Sequence, residues 1–208
     1  MPQASCQVYA NFAYNLGLQL FDLSTDALYM QLHSSSYTPD PLADAFEDDL
    51  ASEVAGPGYT AGGQELVDVD WALITAANAP QWSPASTYKV GQLVRKQSTN
   101  GHIYRCILQG VSGSTEPSWP VTPGRDIADG SVLWEEAGSA YAKLSFDAPL
   151  WTPATLTARF AVLIDKEPGA AATNPLICYW DFGADRSSAD SDFTLTPDTS
   201  AAVYLRVA

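Results

Sequence analysis

Residues 155–164, TLTARFAVLI, constrain the fold of this chain more than any other segment. They open in polar/apolar alternation and end as an unbroken apolar run, the mark of a central strand covered on both sides. Residues 27–32, 65–71, 140–146, 175–182, 192–196 and 202–207 also read as strands, with Pro, Gly, Asp and Asn punctuating them at short intervals. Helical spacing is scarce. Residues 7–19 place Val8, Phe12 and Leu16 on one stripe, and residues 42–54 do the same with Leu42, Phe46 and Leu50, which predicts a short helix and a helix or helical turn. The expectation is a mostly β protein, an antiparallel β-sandwich or partly closed sheet with one or two short helices.

Charge divides the chain further. The 208 residues hold 10 Lys+Arg against 24 Asp+Glu, a formal net charge of −14. Between residues 80 and 138, Lys89, Arg95, Lys96, Arg105 and Arg125 are matched by Glu116, Asp126, Asp129, Glu135 and Glu136, so the whole imbalance lies outside that stretch. The same stretch carries Trp82, Trp119 and Trp134, half of the six tryptophans, and begins and ends in linker-like AANAP and GSA segments. We read residues 80–138 as a small inserted module and residues 1–79 with 139–208 as its discontinuous host. Within the module, residues 92–96, 101–108 and 131–135 read as a three-stranded antiparallel sheet.

Several function classes are disfavoured at once. A 46% hydrophobic share is that of a folded chain, and no apolar run approaches the roughly 20 residues that span a bilayer, so no membrane association is expected. The first residues show no basic segment ahead of an apolar one, so no secretory signal is expected. With acids this far in excess, nucleic acid is not an expected partner, because neutralising phosphates takes surplus Lys and Arg. Cys6, Cys106 and Cys178 are odd in number, far apart and without a CxxC pair. They read as small apolar residues in a reduced cytosol, with an intermolecular disulfide open to Cys6 near the terminus.

Candidate chemistry is sparse. His33 and His102 have no second His or Cys at ligand spacing, and no GxSxG, HExxH or phosphate-loop motif occurs, so no catalytic residue, metal or cofactor is expected. The densest acidic cluster, Asp40, Asp44, Glu47, Asp48, Asp49 and Glu53, alternates with Leu42, Phe46 and Leu50 and lacks calcium-loop spacing. It reads as a solvated helix face or a surface for a basic partner. The rings of the module, Trp82, Tyr88, Tyr104, Trp119 and Trp134, are the richer set. They form either its small core or, because so small a sheet is not expected to bury five large rings, a partly exposed contact for sugar or protein.

Two stretches carry a resemblance. The module, from Trp82 and Tyr88 through Tyr104-Arg105-Cys106, SGSTEPSWP (112–120) and DGSVLWEE (129–136), resembles the small carbohydrate-binding-like modules, chitin-binding in style, appended to many tailed-phage structural proteins. The host, through SSSYTPD (34–40), SEV (52–54), GPGYTAGG (56–63), TARFAV (157–162) and DFG (181–183), resembles a family of small tailed-bacteriophage virion proteins. The resemblance implies a non-enzymatic structural role, a capsid decoration (cement) or head-fibre protein on the outer surface of the virion, folded in the host cytoplasm before assembly. The partners it implies are other virion proteins, the major capsid protein first, and further copies of the chain. The alternative it leaves open is a tail, neck or baseplate component whose module binds a host-surface glycan. In the host domain the loops bearing Tyr37 and Pro39, and Gly58, Tyr59, Gly62 and Gly63, are the expected assembly contacts, since glycine lets backbones approach closely.

Overall fold

A computed structural model describes residues 6–195 and the backbone of residues 203–206. Thr196, Ala202 and Val207, outer residues of two expected strands, lie outside the described residues. In chain order the elements are β1 (Cys6–Val8), α1 (Ala10–Gly17), β2 (Leu28–His33), a 3-10 turn (Glu47–Asp49), β3 (Gln64–Glu65), β4 (Asp70–Thr75), β5 (Thr87–Tyr88) and β6 (Leu93–Arg95). There follow β7 (Ile103–Leu108), β8 (Gly110–Val111), β9 (Asp126–Asp129), β10 (Val132–Glu136), β11 (Ala140–Ser145), β12 (Leu150–Asp165), β13 (Leu176–Thr194) and β14 (Val203–Arg206). The protein is mostly β, built from several antiparallel sheets, with one α-helix among the described residues.

Two compact units divide it, residues 1–70 with 146–197 and residues 71–145 with 198–208. The second unit runs wider than the neutral stretch 80–138, because β4 and β11 belong to its three-stranded sheet, ordered β14-β11-β4. Surface charge changes at residue 80, whereas the packing changes at residue 71.

The first unit is a five-stranded sheet ordered β1-β13-β12-β2-β3. Its centre is the strand that the sequence singled out. From Leu150 to Ala158 the side chains of β12 are mainly alternately exposed and buried, and from Phe160 to Asp165 they are all buried. Phe160, Val162 and Ile164 pack with Tyr9, Tyr37, Leu176 and Tyr179 into a core on one face. β13 is a single 19-residue strand, where the sequence reading had two separate strands. Its first half is buried, and its second half, Gly183–Thr194, pairs with the start of β12 as an exposed ribbon interrupted by bulges. The outer strands β1 and β3 are three and two residues long, which limits unplanned edge pairing.

The second unit contains a four-stranded antiparallel sheet, β6-β7-β10-β9, and a two-stranded one, β5-β8. The expected three-strand module therefore gains β9, a short strand too polar to show alternation. One core gathers Trp82, Val94, Tyr104, Cys106, Trp119, Val132 and Trp134, and a second gathers Ala76, Ala79, Leu93, Ile103, Ala137 and Tyr141.

Candidate functional site

The ring cluster of the second unit is built around a carboxylate. Asp129 ends β9 and is 4% exposed. Its Oδ2 accepts the indole N–H of Trp82 at 2.7 Å and that of Trp134 at 3.0 Å, while Oδ1 accepts the backbone N–H of Gly113 at 2.8 Å. A buried carboxylate with three donors is well satisfied, and the bonds to a charged acceptor are the strong kind. The chain turns immediately afterwards at Gly130 (φ +62°), where a Cβ would lie 2.4 Å from the Val111 carbonyl oxygen, so only glycine fits there. Glu116 holds the third indole, accepting Trp119 Nε1–H at 3.0 Å and the Gln97 N–H at 2.8 Å. The Tyr104 hydroxyl donates to the Pro120 carbonyl at 2.9 Å and accepts from Asn100 at 2.7 Å. Tyr104 and Trp119 lie 4.2 Å apart between centroids, and Trp134 meets Trp119 and Tyr88 edge-on at 5.8 and 4.8 Å.

The exposed contact considered for these rings is corrected for four of the five. Trp82, Tyr104, Trp119 and Trp134 are between 0 and 9% exposed. The cluster closes because Trp119 comes from the loop between β8 and β9, and Tyr88 comes from β5, both outside the four-stranded sheet. Counting strands alone underestimates the cover. Tyr88 is half-buried, and its hydroxyl accepts the Ser83 N–H at 2.7 Å. The residues of SGSTEPSWP and DGSVLWEE thus hold one another in place.

In the first unit, the GPGYTAGG loop does follow a backbone closely, and that backbone is its own. A Cβ at Gly56 would meet the Thr155 oxygen at 2.4 Å, at Gly58 the Pro153 oxygen at 2.1 Å, and at Gly63 the Met30 oxygen at 2.4 Å. The Thr155 N–H donates to the Pro57 carbonyl at 2.9 Å, and Tyr59 packs on Trp151 at 6.2 Å. The Tyr59 hydroxyl accepts the Leu32 N–H at 3.0 Å and donates to Glu53 at 2.8 Å, whose same oxygen accepts the Gly62 N–H at 2.7 Å. Burial and the neighbouring Glu53 push the Tyr59 phenol far above its ordinary pKa. Tyr37 is 5% exposed and donates to Asp44 at 2.6 Å, and Pro39 is half-buried beside it.

The acidic run is not a solvated helix face. Among residues 42–54 the one helical element is the 3-10 turn, Phe46 and Glu53 form isolated bridges to Pro175 and His33, and most of the carboxylates in the run cap backbone or bind side chains. Asp40 accepts the N–H groups of Leu42 and Ala43, Asp44 that of Asp40, and Asp49 those of Ala45 and Phe46. Glu47 receives Lys166 Nζ at 2.6 Å, the Asn174 amide at 2.6 Å and the Gln31 amide. Burial alone would raise the Glu47 carboxyl, and the Lys166 and Asn174 bonds outweigh it and hold it below the usual carboxylate range. The signal for these caps, Asp two to four residues from an unpaired turn N–H, is present in the sequence but weaker than the apolar spacing beside it. No group of three His, Cys, Asp or Glu able to hold a metal ion occurs among the described residues.

Sequence reasoning did not pick out a cleft of about 390 Å³ lined by Gln7, Tyr37, Pro39, Arg159, Tyr179 and Asp181, among others. Arg159 forms a two-point ion pair with Asp181 at 2.6 and 3.1 Å there, and that pair holds the Asp181 carboxyl below its usual range. His33 and His102 serve separate structural contacts. His33, 1% exposed, bonds the Ala51 carbonyl through Nδ1 at 2.8 Å, and His102 bonds Glu136 at 2.6 Å. No family model, curated protein or solved structure matches the chain.

Proposed function

We propose that this chain is a non-enzymatic structural protein of a tailed-phage virion, a capsid decoration or head-fibre protein. In this reading it sits on the outer surface and docks on the major capsid protein. The observation that carries it is the internal use of the module's aromatic residues. Asp129 and Glu116 take all three of its indole N–H groups, and four of the five rings are buried, so these residues build a compact spacer and leave no open stacking platform for a glycan. The chain's net charge of −14 keeps free copies apart at high concentration, and the short outer strands of the first unit discourage random sheet pairing before assembly. The resemblance of the SSSYTPD and GPGYTAGG stretches to small virion proteins points the same way.

Co-sedimentation tests the proposal. Purified chain is mixed with particles from a phage strain in which its gene is deleted, and separately with intact host cells. Saturable binding to full heads and none to cells is the expected result. Binding to cells or isolated tails, with heads left bare, overturns it in favour of a tail component that recognises a host glycan.

A further inference from the structure

Two of the three cysteines, 172 positions apart in sequence, stand on neighbouring strands of one sheet. β1 pairs antiparallel with β13, with Cys6 opposite Trp180 and Val8 opposite Cys178. Residues directly opposite share a face of the sheet, and so do residues two apart along a strand. Cys6 and Cys178 are therefore diagonal neighbours on one face of the sheet. Cys6 is half-buried and Cys178 fully buried, whereas Cys106 belongs to the ring cluster of the other unit.

We propose that Cys6 and Cys178 form an oxidisable dithiol, which closes into a disulfide strapping β1 onto β13 when the chain meets a low-molecular-weight disulfide of the oxidised-glutathione class. A disulfide needs its Cβ atoms about 3.8 Å apart, closer than diagonal neighbours usually stand. β1 can supply the movement. It is a three-residue strand that, among the described residues, stands at the sheet's edge with a partner on one side, while β13 is fixed between β1 and β12. Outside its ladder, β1 is held by the Tyr9 N–H to Ile177 carbonyl bond at 3.1 Å and by the Tyr179 hydroxyl on Gln7 at 2.7 Å. A covalent strap adds most where the non-covalent hold is this short.

The chemistry is an exchange in two steps. The Cys6 thiolate, on the more accessible sulfur, attacks one sulfur of the glutathione disulfide. The S–S bond breaks, one glutathione leaves as thiolate, and Cys6 becomes a mixed disulfide. Cys178 then loses its proton to solvent base and attacks Cys6 Sγ. The protein disulfide forms, and the second glutathione leaves as thiolate and takes up a proton. The two protein thiols lose two electrons, and one disulfide is reduced to two thiols. Burial, and Cys6 beside it, hold the Cys178 thiol well above the ordinary cysteine range, so the second step is the slow one and quickens as pH rises. The proposal stands on the strand register and is independent of the virion reading.

The test uses the full chain, purified reduced and incubated with oxidised glutathione at pH 7 and pH 8.5, then alkylated and mapped by mass spectrometry. The expected product is a monomer 2 Da lighter, with a Cys6–Cys178 cross-linked peptide and Cys106 still alkylated. A transient glutathione adduct on Cys6 is expected to resolve faster at the higher pH. The strap closes a loop of about 170 residues, and the unfolding midpoint should rise by about 10–20 °C. Cys6→Ser, at a half-buried position that leaves the core intact, should abolish both the cross-link and the rise. A Cys6 adduct that never resolves, a disulfide-linked dimer through Cys6, or a cross-link that forms only in denaturant would each overturn the proposal.

Discussion

Replacing Asp129 should unfold the second unit from its centre. In Asp129→Ala, two buried donors and one half-buried donor lose their acceptor: the indole N–H of Trp82 and of Trp134, and the backbone N–H of Gly113. An unsatisfied buried donor costs about 1–3 kcal/mol, so the two indoles alone lose roughly 2–6 kcal/mol before any collapse or water entry, and the half-buried Gly113 N–H adds less. A whole domain is stable by only about 5–15 kcal/mol. Asp129→Asn keeps the shape and sharpens the inference. Its one carbonyl oxygen can serve the two indoles, but its NH2 group then faces the Gly113 N–H, donor against donor, at a cost of roughly 2–4 kcal/mol. Urea unfolding followed by tryptophan emission reads this directly, because Trp82 and Trp134 move from a buried to a wet environment. The expected order is wild type, then Asn, then Ala, with the Ala variant at or beyond the edge of folding at 25 °C. If the Asn variant stays within about 0.5 kcal/mol of wild type, the range of an ordinary surface substitution, the carboxylate does not organise the cluster and the account of the module is wrong.

Three further outcomes follow from the structure. Asp165 is fully buried at the end of β12, with Oδ1 on the Glu167 N–H, and burial together with the neighbouring Asp26 and Glu167 pushes its pKa up to about 7. A folded-state pKa above the unfolded value gives stability present below about pH 4 and lost as pH rises through 7, so Asp165→Asn should flatten that part of the melting profile and leave the variant more stable than wild type at pH 8; an unchanged profile refutes the assignment. Gly58→Ala places a methyl group 2.1 Å from the Pro153 oxygen at φ +80°, and should cost about 3 kcal/mol or more, against about 1 kcal/mol for Gly169→Ala, where φ is +84° and nothing lies within 4 Å; equal midpoints would show that the loop does not lie on β12. Glycan-array binding by the full chain should be absent, and retention that is lost in Trp119→Ala would show that the ring cluster opens to sugars.

What could be read in advance depended on how each residue's environment is encoded. The central strand was legible because burial on both faces leaves an apolar run, from Phe160 to Ile164, that nothing else explains. The second half of β13 was not, because the ribbon from Gly183 to Thr194 is mostly exposed and its Asp and Ser residues look like those of a loop. Gly183 (φ +76°) interrupts it like a turn while the ladder continues. Of the helix or helical turn expected over residues 42–54, only a 3-10 turn over Glu47–Asp49 forms, for a related reason. Leu42, Phe46 and Leu50 sit at helical spacing, but Asp40, Asp44 and Asp49 hold the local N–H groups in turns, and Leu42 is 79% exposed. The ring cluster was legible as a group and ambiguous as to side. Nothing local in the sequence says that Asp129 reaches Trp82, 47 residues away. The diagonal placement of Cys6 beside Cys178 is equally non-local, created by the pairing of the first strand with the thirteenth.

The central claim, that the chain is a component of the phage shell, is tested most directly by counting it. Quantitative mass spectrometry of purified particles, scaled to the major capsid protein, gives its copy number. The account expects hundreds of copies per particle. A count of a few to a few tens would place the protein at a tail or vertex, and its absence from purified particles would contradict the claim outright.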